Sequence, residues 1–331
     1  MVNYTVFKGS KEGKIIQATT SRGVKADEVL VKVTHSGLCG SDQLYRHAGI
    51  ALGHEGAGIV AEIGSAVTTL AKGDSVGWGY IHHACLDCKQ CLTGHENRCP
   101  DVGVYGMTNL DQGSFASHSI WRADFLFKIP LSIPRELAAP LMCGGATVYN
   151  ALSSFNIKPA DRVGIIGVGG LGHLGIQFAA KMGCDVVVFS TTDSKKHEAF
   201  TLGASEFYDT KDKTEIEVGD KLDHLIVTTS SQPDWNIFLP TLAPGATIFP
   251  LTISLGELKI PYMPLLGGQL RIQGSIVAAR QVQREMLAFA ARHSIVPIIE
   301  KFDMDVNGIT AAMQRLDEGK MRYRGVFVAK D

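Results

Sequence analysis

The chain has 331 residues, with 32 Lys and Arg against 33 Asp and Glu for a net charge of −1. Charges of both signs are mixed along its length, with no basic stripe and no acidic tail, so neither nucleic acid nor an anionic membrane is a natural partner and a small-molecule ligand is expected. The length exceeds what one core usually fills, which argues for two domains. Met1-Val2-Asn3-Tyr4-Thr5 lacks a basic segment followed by an apolar run, and the most apolar stretch, residues 163–180, is broken by six glycines and a histidine. Neither a signal peptide nor a membrane span is expected.

Up to roughly residue 130, short alternating runs are separated by Gly, Asp and Pro, a texture that predicts an antiparallel β domain with long loops. The runs are Gly13–Ile16, Glu28–Val33, Gly58–Ile63 and Phe125–Ile129. Beyond Pro140 apolar strands alternate with helical segments: strand Arg162–Ile166, helix Leu171–Met182, strand Asp185–Phe189, helix Lys195–Leu202, strand Leu222–Thr228. That alternation predicts an α/β domain, a parallel sheet doubly wound by helices on both faces. The final stretch carries a helix over Gln281–His293, the run Pro297–Glu300, a helix near Val306–Glu318 and a strand Gly325–Val328. The N-terminal β part has no natural place to end its sheet, so this last segment is expected to return and complete it. The predicted division is 1–147 with 277–331 as a β-rich catalytic domain, and 148–276 as a nucleotide-binding domain.

Six of the seven cysteines fall into two patterns. Cys85-x2-Cys88-x2-Cys91-x7-Cys99 has the spacing of a closed tetrahedral zinc site. Four thiolates saturate Zn²⁺, so this site should hold structure rather than do chemistry. Reduced thiols or disulfides have no use for such even spacing. Cys39 and Cys143 lie far apart and flank Gly53-His54-Glu55, as in a metal site assembled by the fold. Three protein ligands leave room for a substrate. Taken singly, the two cysteines read as small buried hydrophobes, His54 as a core histidine and Glu55 as a surface carboxylate. With thiols committed to metal and no secretory signal, a reducing cytoplasm is the expected compartment.

Gly167-Val168-Gly169-Gly170-Leu171-Gly172 follows an apolar strand and opens a helix. Glycines there permit a tight turn and a close approach of backbone to a pyrophosphate, which the helix N-terminus favours. About 20 residues further on, an NAD site carries an acid for the ribose hydroxyls. Here the strand ends in Ser190-Thr191-Thr192-Asp193-Ser194-Lys195. Hydroxyls and the two lysines Lys195 and Lys196 suit a 2′-phosphate and hence NADP(H). Thr192 or Asp193 could also simply cap the helix expected from Ser194, and Asp193 keeps NAD open.

The order of these motifs, Cys39-Gly40-Ser41-Asp42, Gly53-His54-Glu55, four spaced cysteines, Cys143 and the glycine turn, resembles the zinc-dependent medium-chain dehydrogenases over nearly the whole chain. Leu141-Met142-Cys143 and the Ser-Thr-x-x-x-Lys pattern from Ser190 to Lys195 are most similar to the cinnamyl alcohol dehydrogenase-like branch. The resemblance implies a GroES-like β-rich catalytic domain, a Rossmann domain, two zinc ions per chain, NADP(H) and an alcohol or aldehyde substrate. By position it implies that Cys39, His54 and Cys143 hold the catalytic zinc with Glu55 beside them, that Ser41 bonds the substrate oxygen and passes its proton, and that Asp42 braces His54. It places Gly167, Gly169, Gly170, Leu171, Gly172, Ser190, Thr191, Thr192, Lys195 and Ser275 around the cofactor. It also implies a homodimer, with the apolar run Leu270–Ala279 as an edge strand.

Two departures bear on mechanism. Leu44 stands where many relatives carry a histidine three residues after the relay hydroxyl, so the proton is expected to leave through the cofactor ribose and water, with His47 as the other route. The Cys39–His54 interval is short for the family, which predicts a cut-back loop and looser selectivity. Trp78, Tyr80 and Ile81 stand where relatives place substrate-facing side chains, although aromatics in an apolar strand are more often core. The alternatives are an NAD-dependent polyol dehydrogenase, which wants an acid at Ser190, a reductase of C=C or C=N bonds, and a non-catalytic nucleotide binder.

Overall fold

The computed structural model describes residues 1–330. They fall into two compact units, Met1–Ala146 joined by the stretch from Val277 onward, and Thr147–Ile276.

In the first unit, Glu28–Leu38 is the central strand, with Val29, Val31 and Val33 buried and Lys32 exposed between them. This period of two puts the β-branched side chains on the main core, while Leu30 on the opposite face packs in a smaller cluster with Tyr4, Val6 and Ile120. It pairs antiparallel with Gly56–Ile63, His118–Arg122 and Arg324–Val328. Arg324–Val328 in turn pairs parallel with Ile299–Asp303. The connection between those two is the helix Val306–Asp317, whose N-cap Asp305 accepts the Gly308 N–H at 2.9 Å. The C-terminal segment thus completes the N-terminal sheet, and it carries Arg324 into the core.

Two features of this unit differ from the periodicity. Val2–Lys8 is a full strand paired with Ile16–Arg22, and the run from Gly13 becomes strand only at Ile16 because the chain reverses at Gly13, φ +73°. Within Phe125–Ile129, only Phe127–Lys128 pairs as strand. Ala123–Phe125 is a helical turn that sets the Phe125 ring between the Arg122 and Arg280 guanidinium groups, 5.9 and 5.6 Å from its centroid. Cation–π contact at this turn outcompetes strand pairing.

The second unit is a six-stranded parallel sheet in the spatial order 206–209, 185–190, 162–166, 222–227, 242–250, 271–272. The order reverses between Arg162–Ile166 and Leu222–Val227, which opens a crevice at their C-terminal ends. The glycine turn stands there, followed by the helix Gly172–Lys181. No helix among the described residues is long and apolar enough to cross a membrane.

Candidate active site

Strand Glu28–Leu38 delivers Cys39 to the start of a single helical turn, Gly40–Leu44. Asp42 reaches back, its Oδ2 accepting the Cys39 N–H at 2.9 Å, while its Oδ1 faces His54 Nδ1 at 3.1 Å. Both Asp42 and His54 are fully buried. A carboxylate opposite Nδ1 keeps a proton on that nitrogen and turns Nε2 into the site. His54 and Glu55 follow Gly53, at φ +93°. Cys143 comes from a widened helical turn, Leu141–Gly145, directly after Pro140. Proline removes a backbone donor, and such widened turns recur at functional positions.

The ligand atoms of Cys39, His54, Glu55 and Cys143 all lie within 4.8 Å of one another. Among the described residues, His54 Nε2 and Glu55 Oε2 are buried without a hydrogen-bond partner. Unpaired buried polar atoms are costly, and two beside two thiols fit a zinc-binding donor set. Electrostatics point the same way. A hydrogen bond from Cys143 leads the causes that hold the Cys39 thiol well below its usual range, with His54 adding to it, and the same bond pushes Cys143 well above. Burial disfavours charge on His54, yet Asp42 and Cys39 outweigh it and raise its pKa. A divalent cation would displace the protons these groups share, since its ligands must be deprotonated.

Glu55 is paired with Arg324 through Oε1 and Nη2, and both side chains are buried. Burial pushes the Glu55 carboxyl up to about 7, against the pull of Arg324. Position 37 must be glycine for this arrangement, because a Cβ there would sit 2.0 Å from Glu55 Oε2.

Ser41 is buried at 3.8 Å from Cys39 Sγ. Tyr105, which no motif signalled, accepts the Gly53 N–H at 3.0 Å and lies 4.6 Å from the His54 ring, close enough to Asp42 for that carboxylate to add to burial in holding its hydroxyl protonated. Tyr80 packs edge-on to His54 at 5.5 Å, whereas Trp78 is fully buried core beside Trp121. Leu44 is 52% exposed. His47 is exposed, with Nδ1 3.0 Å from the Lys11 carbonyl, which accepts its proton.

The second cysteine set is a compact lobe. Sγ separations are 3.9 Å for Cys85–Cys91, 3.6 Å for Cys88–Cys91, 3.8 Å for Cys88–Cys99 and 3.5 Å for Cys99–Cys85. A tetrahedron with metal–sulfur bonds of about 2.3 Å has edges of about 3.8 Å. The Cys88 and Asp101 amides donate to Cys85 and Cys99, each at 3.3 Å.

In the other unit, Gly167 turns at φ +96°, and a Cβ on Gly172 would lie 1.8 Å from the Gly167 oxygen, so this crossing of turn and helix excludes any side chain. Ser190 ends its strand, and Thr191 and Thr192 are exposed beyond it. The helix begins at Lys196 after a tighter turn, and Lys195 Nζ donates to the Val168 carbonyl at 2.8 Å. That bond joins the strand-end residues to the glycine turn that also holds Gly169, Gly170 and Leu171. Ser275 follows the outermost strand, and its hydroxyl accepts from Asn150 Nδ2 at 2.9 Å.

Residues 25–131 match the alcohol dehydrogenase GroES-like domain family, and residues 170–292 match the zinc-binding dehydrogenase family. The chain is 35% identical over 315 residues to the aldehyde reductase AdhA of Synechocystis, covering 91% of each. The chain belongs to the zinc-binding medium-chain alcohol dehydrogenase family. Within that family it is 33% identical over 323 residues to the NADP-dependent alcohol dehydrogenase C 1 of Mycolicibacterium smegmatis, covering 93% of this chain and 92% of that protein. Its fold superimposes on a cinnamyl alcohol dehydrogenase of Sorghum bicolor with a TM-score of 0.90 at 29% identity, over 99% of this chain and 98% of that one. As a member of that family it is an oxidoreductase, and it carries two candidate zinc sites.

Proposed function

We propose that the protein interconverts a neutral alcohol and its aldehyde or ketone, using NADP(H), at the cluster of Cys39, His54, Glu55 and Cys143. The observation that carries this reading is His54 Nε2, buried without a hydrogen-bond partner and within 4.8 Å of two thiols, one of which, Cys39 Sγ, lies 3.8 Å from the Ser41 hydroxyl. Zinc bound there supplies Lewis-acid polarisation of the substrate oxygen. Ser41 both donates and accepts, so its Oγ can take the alcohol proton at the moment the C–H hydride leaves for the nicotinamide. Asp42 holds the His54 tautomer and the Cys39 backbone, which fixes two of the four donors with one carboxylate. The four-cysteine lobe acts structurally. The unit from residue 147 to 276 binds the cofactor, and the other unit carries the chemistry.

NADP(H) rather than NAD(H) is supported by Ser190, Thr191 and Thr192 at the strand end, where an acid would repel a 2′-phosphate, with Lys195 tethered at the glycine turn. The Mycolicibacterium relative is named as NADP-dependent. Arg324, the cation held at the cluster, is already paired with Glu55 and offers no free charge to a substrate, which favours uncharged ones. A homodimer joined at the sheet edge is supported by the outermost strand Arg271–Ile272 and the exposed Ile276. The test is a panel of aldehydes and alcohols assayed with NADPH, NADH, NADP⁺ and NAD⁺ by absorbance of the reduced nicotinamide. Turnover of a neutral carbonyl with NADPH at a higher kcat/KM than with NADH is expected; no turnover by fully metallated protein across the panel refutes the reading.

A further inference from the structure

Resting on that reading, we infer that Tyr45 carries the proton onward from Ser41, in the place left by a histidine's absence at Leu44. Three observations narrow the choice of carrier within the unit that holds the cluster. Leu44 has no group that can hold a proton, and it is half exposed. His47 Nδ1 donates to the Lys11 carbonyl at 3.0 Å and its ring lies against Gly13, so the imidazole is turned towards the N-terminal loop. Tyr105 is a dead end: its hydroxyl accepts the Gly53 amide and the residue is 5% exposed, away from water.

Tyr45 differs from all three. It stands four residues after Ser41, at the end of the same helical turn, a spacing that puts two side chains on one face with Cβ atoms about 5–6 Å apart. Its ring is steered inward by edge-on packing against Tyr105 at 5.2 Å and by Gly106, where a Cβ would lie 2.0 Å from the ring. Tyr80, whose own ring packs on His54, lies against the same Tyr105 ring at 6.2 Å, so the tyrosines form one cluster beside the metal donors. Tyr45 and Tyr80 are both half-buried, so the pair spans from the cluster towards water.

The transfer balances without any hydroxyl ionising. Ser41 Oγ takes the alcohol proton as its own proton passes, directly or through one water, to Tyr45 Oη, which releases its proton to solvent. The hydride leaves with the C–H electron pair to the oxidised nicotinamide, and the C–O bond becomes C=O.

The experiment compares wild type, Tyr45→Phe, Ser41→Ala and His47→Phe, each at full metal content and with measured NADPH affinity, in stopped-flow alcohol oxidation. A pH indicator reads proton release and absorbance reads hydride transfer. Tyr45→Phe should slow proton release and kcat by roughly 10- to 100-fold, below the loss from Ser41→Ala, because the missing group lies one position beyond the primary relay. Added imidazole buffer should restore the rate saturably, which a merely structural defect would not allow, and His47→Phe should match wild type. An active wild type whose Tyr45→Phe variant keeps its proton-release rate, or loses rate without rescue, overturns this inference alone and favours exit through the cofactor ribose. A metallated wild type with no alcohol oxidation would overturn the functional reading and this inference together.

Discussion

Removing Arg324 should expose how the Glu55 carboxylate is kept inside the protein. Glu55 is fully buried; its Oε1 is bonded by Arg324 and its Oε2 has no hydrogen-bond partner. In Arg324→Leu, Oε1 loses its partner and the buried carboxylate its counter-charge, and breaking a buried pair from one side costs about 3–5 kcal/mol. A unit of this size loses about 2–4 °C in Tm per kcal/mol, so the variant with no metal at the Cys39 cluster should melt roughly 6–20 °C below wild type in the same state at pH 8. The sign of the pH dependence follows from linkage. Burial already raises the Glu55 carboxyl to about 7, above its ordinary 4.5, and loss of Arg324 raises it further. The folded variant therefore binds a proton that the unfolded chain releases, so its deficit is largest above the folded pKa and shrinks as pH falls towards the unfolded carboxylate value. Arg324→Leu combined with Glu55→Met should recover most of the loss, since an apolar pair of similar volume removes the stranded charge. Thermal unfolding of the three variants and wild type between pH 5.5 and pH 8 measures all of this. A single variant that loses less than about 1 kcal/mol at pH 8, or a double variant as weak as the single, would refute the assignment of Glu55 as an ion held by Arg324.

Elemental analysis of purified protein should find two zinc ions per chain, and Cys143→Ala should keep one of them, stay folded and lose turnover; well-folded protein free of zinc refutes both metal sites. Cys91→Ala should instead lose solubility or the sharpness of thermal unfolding, because the four-cysteine lobe gains its folding energy from the metal; a normal melt with one zinc fewer contradicts that role. Ser190→Asp with Lys195→Ala should reverse or erase the NADPH preference in kcat/KM, by adding a repulsive carboxylate and removing a cation beside the glycine turn. Unchanged cofactor discrimination rules these residues out as the 2′-phosphate pocket.

What could be read from the sequence divides along a physical line. Features whose parts lie close together in the chain were legible: the four-cysteine lobe, whose short spacings alone hold the sulfurs 3.5–3.9 Å apart, and the glycine turn between an apolar strand and its helix. The open metal cluster was legible only through the order of several motifs taken together, because each of Cys39, His54 and Cys143 is an ordinary core residue by itself. Arg324 and Tyr105 gave no signal at all. Each acts across a tertiary contact, from the closing strand to Glu55 and from a loop to Asp42 and the Gly53 amide. An arginine in a C-terminal strand reads as a surface charge, and a tyrosine before Gly106 as a loop aromatic, until the fold brings a buried carboxylate to each. The strand expected from Phe125 starts later for a related reason: the Phe125 ring is drawn between two guanidinium groups, one of which, Arg280, is far away in sequence. The donors that could hold a metal are thus marked by residue type, but the groups that fix their charge and orientation are marked only by place. It follows that variation at Gly37, Tyr45, Tyr105 and Arg324 can retune this site while every motif in the chain stays intact.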